Sequence, residues 1–176
     1  DERFSSLKDR LEEDTSCYDL VSESTWDLVH DGGVKSVNMV IMEEPEHVDR
    51  YMKLEDKDGA KIEYPGKGEA VINTALAEQY DIKTGDVITV SEMKEIRVSV
   101  SGIFRNHVYN YVYISPETYE DQMGEAPQYK SVYFNLEEGA DSHEISADLM
   151  GDAATASVTI NKDMKNRISK MMESLN

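Results

Sequence analysis

The chain has 176 residues, 36 of them acidic and 18 basic, for a formal charge of −18. That length suits one domain, and the 39% hydrophobic share is enough for a real core. So acidic a surface repels phosphate and excludes nucleic acid and anionic lipid surfaces as partners, while the single cysteine, Cys17, permits no internal disulfide and no multi-cysteine metal site.

Phe4, Leu7 and Leu11 recur at helical intervals. A strand follows at Cys17–Val21, then Trp26 and Leu28-Val29, a turn at Asp31-Gly32-Gly33, and a buried strand from Ser36 to Met42. Glu43-Glu44-Pro45-Glu46 breaks it. Tyr51–Leu54 and Lys61–Tyr64 read as two arms of a hairpin around Asp56-Lys57-Asp58-Gly59, whose Asp-Gly supplies a positive φ. After Pro65-Gly66-Lys67-Gly68 comes a short strand, Ala70–Ile72, and a helix over Ala75–Tyr80 that Asn73 or Thr74 is placed to cap.

Lys83-Thr84-Gly85-Asp86 is a turn before the strand Val87–Val90. Ile96, Val98 and Val100 alternate with polar residues, the pattern of a half-wet strand. Gly102 then marks a bulge or a close backbone approach. Tyr109–Ile114 is another strand, and Ser115-Pro116 starts a helix, serine as cap and proline at its first position. Val132, Phe134 and Leu136 alternate along a further strand; Asp141 and Glu144 form a capping box ahead of Ile145 and Leu149; Ser157–Ile160 is the last strand. From Asn161 a helix is expected, with Met164, Ile168, Met171 and Leu175 on one stripe. Strands outnumber the short helices without regular βαβ alternation, so the expected class is α+β with mixed or antiparallel sheets.

No run reaches the ~18 apolar residues of a membrane helix, and no basic-then-apolar leader is present. The chain opens at Asp1 without methionine, so it is expected to be an excised or processed piece of a larger protein.

Catalytic patterns are thin. The four histidines, His30, His47, His107 and His143, lack the helical His-Glu-x-x-His spacing of a zinc site, and no serine sits in a nucleophile elbow. Gly66-Lys67-Gly68 lacks the spacing of a phosphate loop, and the Asp56–Gly59 turn lacks the first and last carboxylates of a calcium loop. Glu43, Glu44, Glu46 and Asp49 concentrate negative charge, either as a weak divalent-ion site or as a solvated loop. Tyr109, Tyr111 and Tyr113 share one face if they lie on a strand. Tyrosine joins flat apolar area to a polar tip, so the three are the candidate ligand or partner contacts, with sheet packing as the alternative. The chain's acidity would favour a cationic peptide over an anionic one.

From Ile62 to Leu136 the order of motifs resembles that of FtsX-like ABC-transporter permeases. Gly68–Tyr80 followed by Ile82–Val90 is similar to their strand, short helix, Gly-Asp turn and strand. Val98–Ile103 resembles the next strand with its closing Val-x-Gly-Ile, and Tyr111–Tyr119 the aromatic strand with a Ser-Pro helix start. The resemblance implies an extracytoplasmic loop domain related to the MacB-like periplasmic core, with the terminal helices as stalks. It implies one domain over 1–176, a β-rich lobe at 60–115 being inserted in a mixed lobe formed by 15–59 and 116–161.

By the same resemblance the partners are the transmembrane helices of the parent permease and, indirectly, a cytoplasmic ABC ATPase subunit. A peptide, a lipid or a protein is the substrate class left open. The expected role is to couple ATP-driven motion to handling of a substrate or partner outside the membrane, with no cofactor and no catalysis. A free-standing surface or secreted adhesion module is the main alternative. A hydrolase in which His107 or His143 meets carboxylates is a third.

Overall fold

Alternating apolar residues and short polar turns give nine strands and two short helices among the residues that the computed structural model describes, 15–136, 157–161 and 167–171. Strand β1 (Thr15–His30) turns into β2 (Gly33–Met42) through Asp31-Gly32. Both turn residues have positive φ, 47° and 77°, which matches the right-handed twist of a two-residue hairpin. A 3-10 helix covers Pro45–Arg50. Then come β3 (Glu69–Asn73), α1 (Thr74–Tyr80), β4 (Val87–Glu92), β5 (Lys94–Phe104), β6 (Tyr111–Ile114), α2 (Pro116–Met123), β7 (Ser131–Leu136), β8 (Ser157–Asn161) and β9 (Arg167–Met171). This mixed sheet with few short helices is the expected α+β class.

The chain divides into two units. One holds the described residues of Asp1–Val21, Asp49–Met52 and Tyr129–Asn176; the other holds Ser22–Val48 and Lys53–Gln128. In the larger unit the strand pairings close on themselves, in the order β2, β6, β3, β5, β4, β1 and back to β2. The pairs β2–β6 and β3–β5 are parallel, while β3–β6, β4–β5 and β1–β4 are antiparallel. Leu28, Met39, Ile41, Ile72, Leu76, Ile88 and Ile96 are fully buried there. Ile96, Val98 and Val100 point inward from β5 while Arg97 is exposed, as their alternation requires.

Gly102 combines both features anticipated for it. The β3–β5 register slips between Ala70 and Val71, leaving Ser101 as the extra residue of a bulge. A Cβ at Gly102 would lie 2.6 Å from Ile62 Cγ2, so only glycine fits without displacing that loop. Ser115 caps α2, its Oγ accepting from the Thr118 amide at 3.1 Å. From the last turn of α2 the Gln122 carboxamide reaches back to β5. It accepts from the Arg97 amide and donates to the Arg97 carbonyl, both at 2.8 Å. It thereby takes the place of a strand where β3 has not yet begun. Trp26 meets Tyr119 edge-on at 6.3 Å. Burial, helped by the charges of Glu125 and Glu92, pushes the Tyr119 phenol above its usual pKa.

The expected hairpin arms at 51–54 and 61–64 are not a ladder. A single bridge, Glu55 to Lys61, joins them. The Asp56 carboxylate organises the loop instead, accepting from the amides of Asp58 and Ala60 at 2.9 Å each.

In the smaller unit the first half of β1 pairs antiparallel with β7, placing Tyr18 opposite Phe134 and Leu20 opposite Val132. β7 pairs parallel with β8, and β8 antiparallel with β9. Asp19, only 4% exposed, accepts a 2.5 Å hydrogen bond from the Tyr51 hydroxyl and has Arg50 Nη1 at 3.6 Å. The Tyr51 ring also packs on Tyr133, 5.6 Å between centroids. Hydrogen bonds to a buried carboxylate are stronger than neutral ones. Tyr51→Phe keeps the ring and removes the donor, so unfolding by urea is expected to show a loss of about 2 kcal/mol.

One expectation is corrected in part. Residues 167–171, placed on a C-terminal helix by their stripe, form β9, with Ile168 in register with Ile160 and Lys170 with Val158. Ile168 and Met171 stand three apart, a helical spacing that puts them on opposite faces of a strand. The ladder with β8, not the local pattern, makes this segment a strand. The rest of that stripe, the N-terminal stripe Phe4–Leu11 and the capping box at Asp141 lie outside the described residues.

Candidate functional site

The segment between β5 and β6, residues 105–110, is where the sequence-based candidates converge. Its shape is set by amides and a hydroxyl from several elements. Asn73 is fully buried; its Nδ2 donates to the Tyr109 carbonyl at 2.8 Å and its Oδ1 accepts from the Tyr111 amide at 3.0 Å. Thr74 Oγ1 donates to the Phe104 carbonyl and accepts from the Asn106 amide. The Asn106 carbonyl in turn accepts from the Ala75 amide, at the start of α1. Asn106 Oδ1 accepts from the Val108 amide at 2.7 Å, and the Asn110 carbonyl from the Asn38 amide at 2.8 Å.

Asn73 therefore occupies the N-cap position of α1 without capping it through its side chain. Its carboxamide is committed to the loop, and Thr74 likewise. Local spacing marks Asn73 only as a helix cap and assigns Asn106 and Asn110 no role in holding this loop. The only signal was the density of asparagines around residues 106–110, since the partners lie more than thirty residues apart in sequence.

On this frame the three tyrosines come together but differ in exposure. Tyr113 is 2% exposed, held edge-on to Phe104 at 5.4 Å and to Tyr64 at 6.3 Å. Tyr111 is half-buried and lies 6.1 Å from Tyr113, the neighbour spacing that strand alternation gives. Tyr109 is not on the strand. It has left-handed backbone, φ 60°, is 71% exposed, and meets Tyr111 edge-on at 6.5 Å. Val108 beside it is 60% exposed. The result is an aromatic stack rooted in the core at Tyr113 and emerging at Tyr109. Its outer end is fixed in a conformation that bulky side chains avoid, a feature that collects at binding sites.

The other sequence candidates lie apart. His30 is 3.7 Å from Asp31, and His107 is 3.8 Å from Glu78, the latter pair largely exposed. His143 lies outside the described residues. In the acidic stretch, hydrogen bonding to Glu46 and the Glu46 charge raise the pKa of Glu44. Among the described residues no group of three or more His, Cys, Asp or Glu side chains is arranged to hold a metal ion. No described helix is long and apolar enough to cross a membrane.

The model of the MacB-like periplasmic core domain matches residues 15–151. The chain belongs to that family. MacB-like core domains form the extracytoplasmic part of membrane ABC-transporter permeases, and this chain is such a domain. Two solved structures share the MacB-like fold. The extracellular domain of the noncanonic ABC-type transporter YknZ from Gram-positive bacteria superposes with a TM-score of 0.54 at 12% identity, covering 84% of this chain and 76% of that one. The periplasmic region of MacB from Actinobacillus actinomycetemcomitans gives 0.51 at 10% identity, covering 84% and 71%. A search of curated protein sequences finds no match. Within the MacB-like domain the Gly85-Asp86 turn and Gly102 serve the backbone. Gly85 has φ 98° and its amide donates to the Val100 carbonyl at 2.8 Å.

Proposed function

We propose that this domain couples ATP-driven motion of its parent permease to the handling of a substrate or partner outside the membrane, making and breaking no covalent bonds itself. Membership of the MacB-like family carries this reading. The construction of the 105–110 loop supports a contact role for its exposed end. Val108 and Tyr109 are exposed, yet their backbone is held by the half-buried Asn106 and the buried Asn73, so less backbone ordering entropy remains to be lost when a partner covers them. Tyr109 and Val108 are the proposed contact, Tyr111 its flank, and Tyr113 its anchor in the core.

The test uses the parent permease with its ATPase in lipid nanodiscs. Met93, fully exposed at the tip of the β4–β5 hairpin, is replaced by cysteine in a background with Cys17 and every other cysteine of the permease and its ATPase replaced by serine, and labelled with a luminescent donor. Energy transfer to acceptor-labelled lipid headgroups is then compared between nucleotide-free and ATP-trapped states. A change on trapping is the expected result. Identical transfer in both states would overturn the coupling.

A further inference from the structure

The larger unit contains a cavity of about 480 Å³, within the size range of ligand sites. Its floor is apolar: Ala77 and Ile82 are buried, and Ile62 and Ile103 are half-buried. Its rim is acidic, with Asp58, Glu78 and Asp81 exposed, Asp56 beside them, and one ammonium, Lys57.

Two of these carboxylates sit where helix electrostatics disfavours them. Glu78 lies in the last turn of α1, and Asp81 is its C-cap, in left-handed backbone with φ 51°. The C-terminal end of a helix carries partial negative charge and prefers lysine, arginine or histidine; this turn has none. Asparagine or glycine would serve the left-handed position without a charge. A local rule broken on the wall of a cavity marks a place where stability has yielded to function. Among the described residues the ion-pair partner found for the two is His107, against Glu78.

We propose that this cavity binds an apolar peptide segment through a lysine or arginine side chain. The aliphatic stem lies on Ile62, Ile82 and Ile103, and the cationic head reaches Glu78 and Asp81, whose charges the helix end reinforces. Binding needs neither nucleotide nor membrane, so it stands or falls apart from the coupled motion proposed above.

The experiment is a nuclear magnetic resonance titration of the ¹⁵N-labelled 176-residue chain with acetyl-Leu-Lys-Leu-amide, against the same peptide carrying norleucine for lysine. Amide shifts are expected at Ile62, Ala77, Ile82 and Ile103, with affinity about tenfold lower for the norleucine peptide, the loss of one charge-assisted contact. Asp81→Asn is expected to weaken binding similarly while its melting temperature holds or rises, which separates lost binding from lost folding. Gly102→Ala, whose Cβ meets Ile62 at 2.6 Å, is expected to weaken it by moving the wall. The proposal is overturned by the absence of shifts at these residues, by shifts that scatter over the surface and vanish at about 150 mM salt, by equal affinity for the two peptides, or by unchanged affinity in Asp81→Asn.

Discussion

Asn73→Ala is expected to destabilise the larger unit by about 3 kcal/mol and to free the 105–110 loop. The fully buried carboxamide is the partner of two peptide groups at once, the Tyr109 carbonyl and the Tyr111 amide. Removing it leaves both part-buried groups without that partner and opens a cavity at a fully buried position, each at roughly 1–2 kcal/mol. Urea unfolding gives the total, and hydrogen exchange at the Tyr111 amide reports the local opening. Asn73→Asp gives the sharper result. It keeps the acceptor for Tyr111 but turns an oxygen toward the Tyr109 carbonyl and buries a charge. Near neutral pH it is expected to be at least as damaging as alanine. Burial and the facing carbonyl raise this carboxyl's folded pKa, so stability returns as pH falls through it and the protonated form regains a donor. An Asn73→Asp variant as stable as the parent at neutral pH would contradict the bidentate role.

Phe134→Ala is expected to be the most damaging single change, at about 3–5 kcal/mol. Phe134 is 0% exposed on β7, which is bordered by β1 on one side and β8 on the other. Domains of this kind have only about 5–15 kcal/mol in total, so the loss is a large share. Denaturant unfolding is expected to show a lower midpoint at an unchanged slope, with amide protection lost first across β7. Phe134→Leu keeps more of the volume and should lose much less. Equal losses in the two variants would mean that the ring does not fill a closed space.

What could be read in advance was what neighbouring residues decide together. Ser115-Pro116 starts α2, Asp31-Gly32 turns β1 into β2, and Gly102 marks a bulge, because each rests on steric rules acting within a few residues. The family was legible too, because it lies in the order of such local signals between Ile62 and Leu136. Of the candidate site, only the grouping of its aromatic rings was legible. Tyr109, Tyr111 and Tyr113 do gather, yet alternation alone put all three on one strand. The strand begins only at Tyr111, because the Asn73 carboxamide claims the backbone on either side of Asn110 from across the chain. The burial of Tyr113 depends likewise on Phe104 and Tyr64, which no spacing rule connects to it. At 167–171 the apolar spacing of Ile168 and Met171 is helical, and pairing with β8, a contact no local pattern announces, makes the segment a strand.

The circuit of six strands in the larger unit bears on how other molecules are met. Each of β1 to β6 already has a neighbour on both sides. No strand of that circuit is an edge strand along its whole length, and where β5 runs ahead of β3 the Gln122 carboxamide occupies the Arg97 backbone. On this circuit a visitor must therefore be read by side chains and loops, which makes its recognition there a matter of shape and charge.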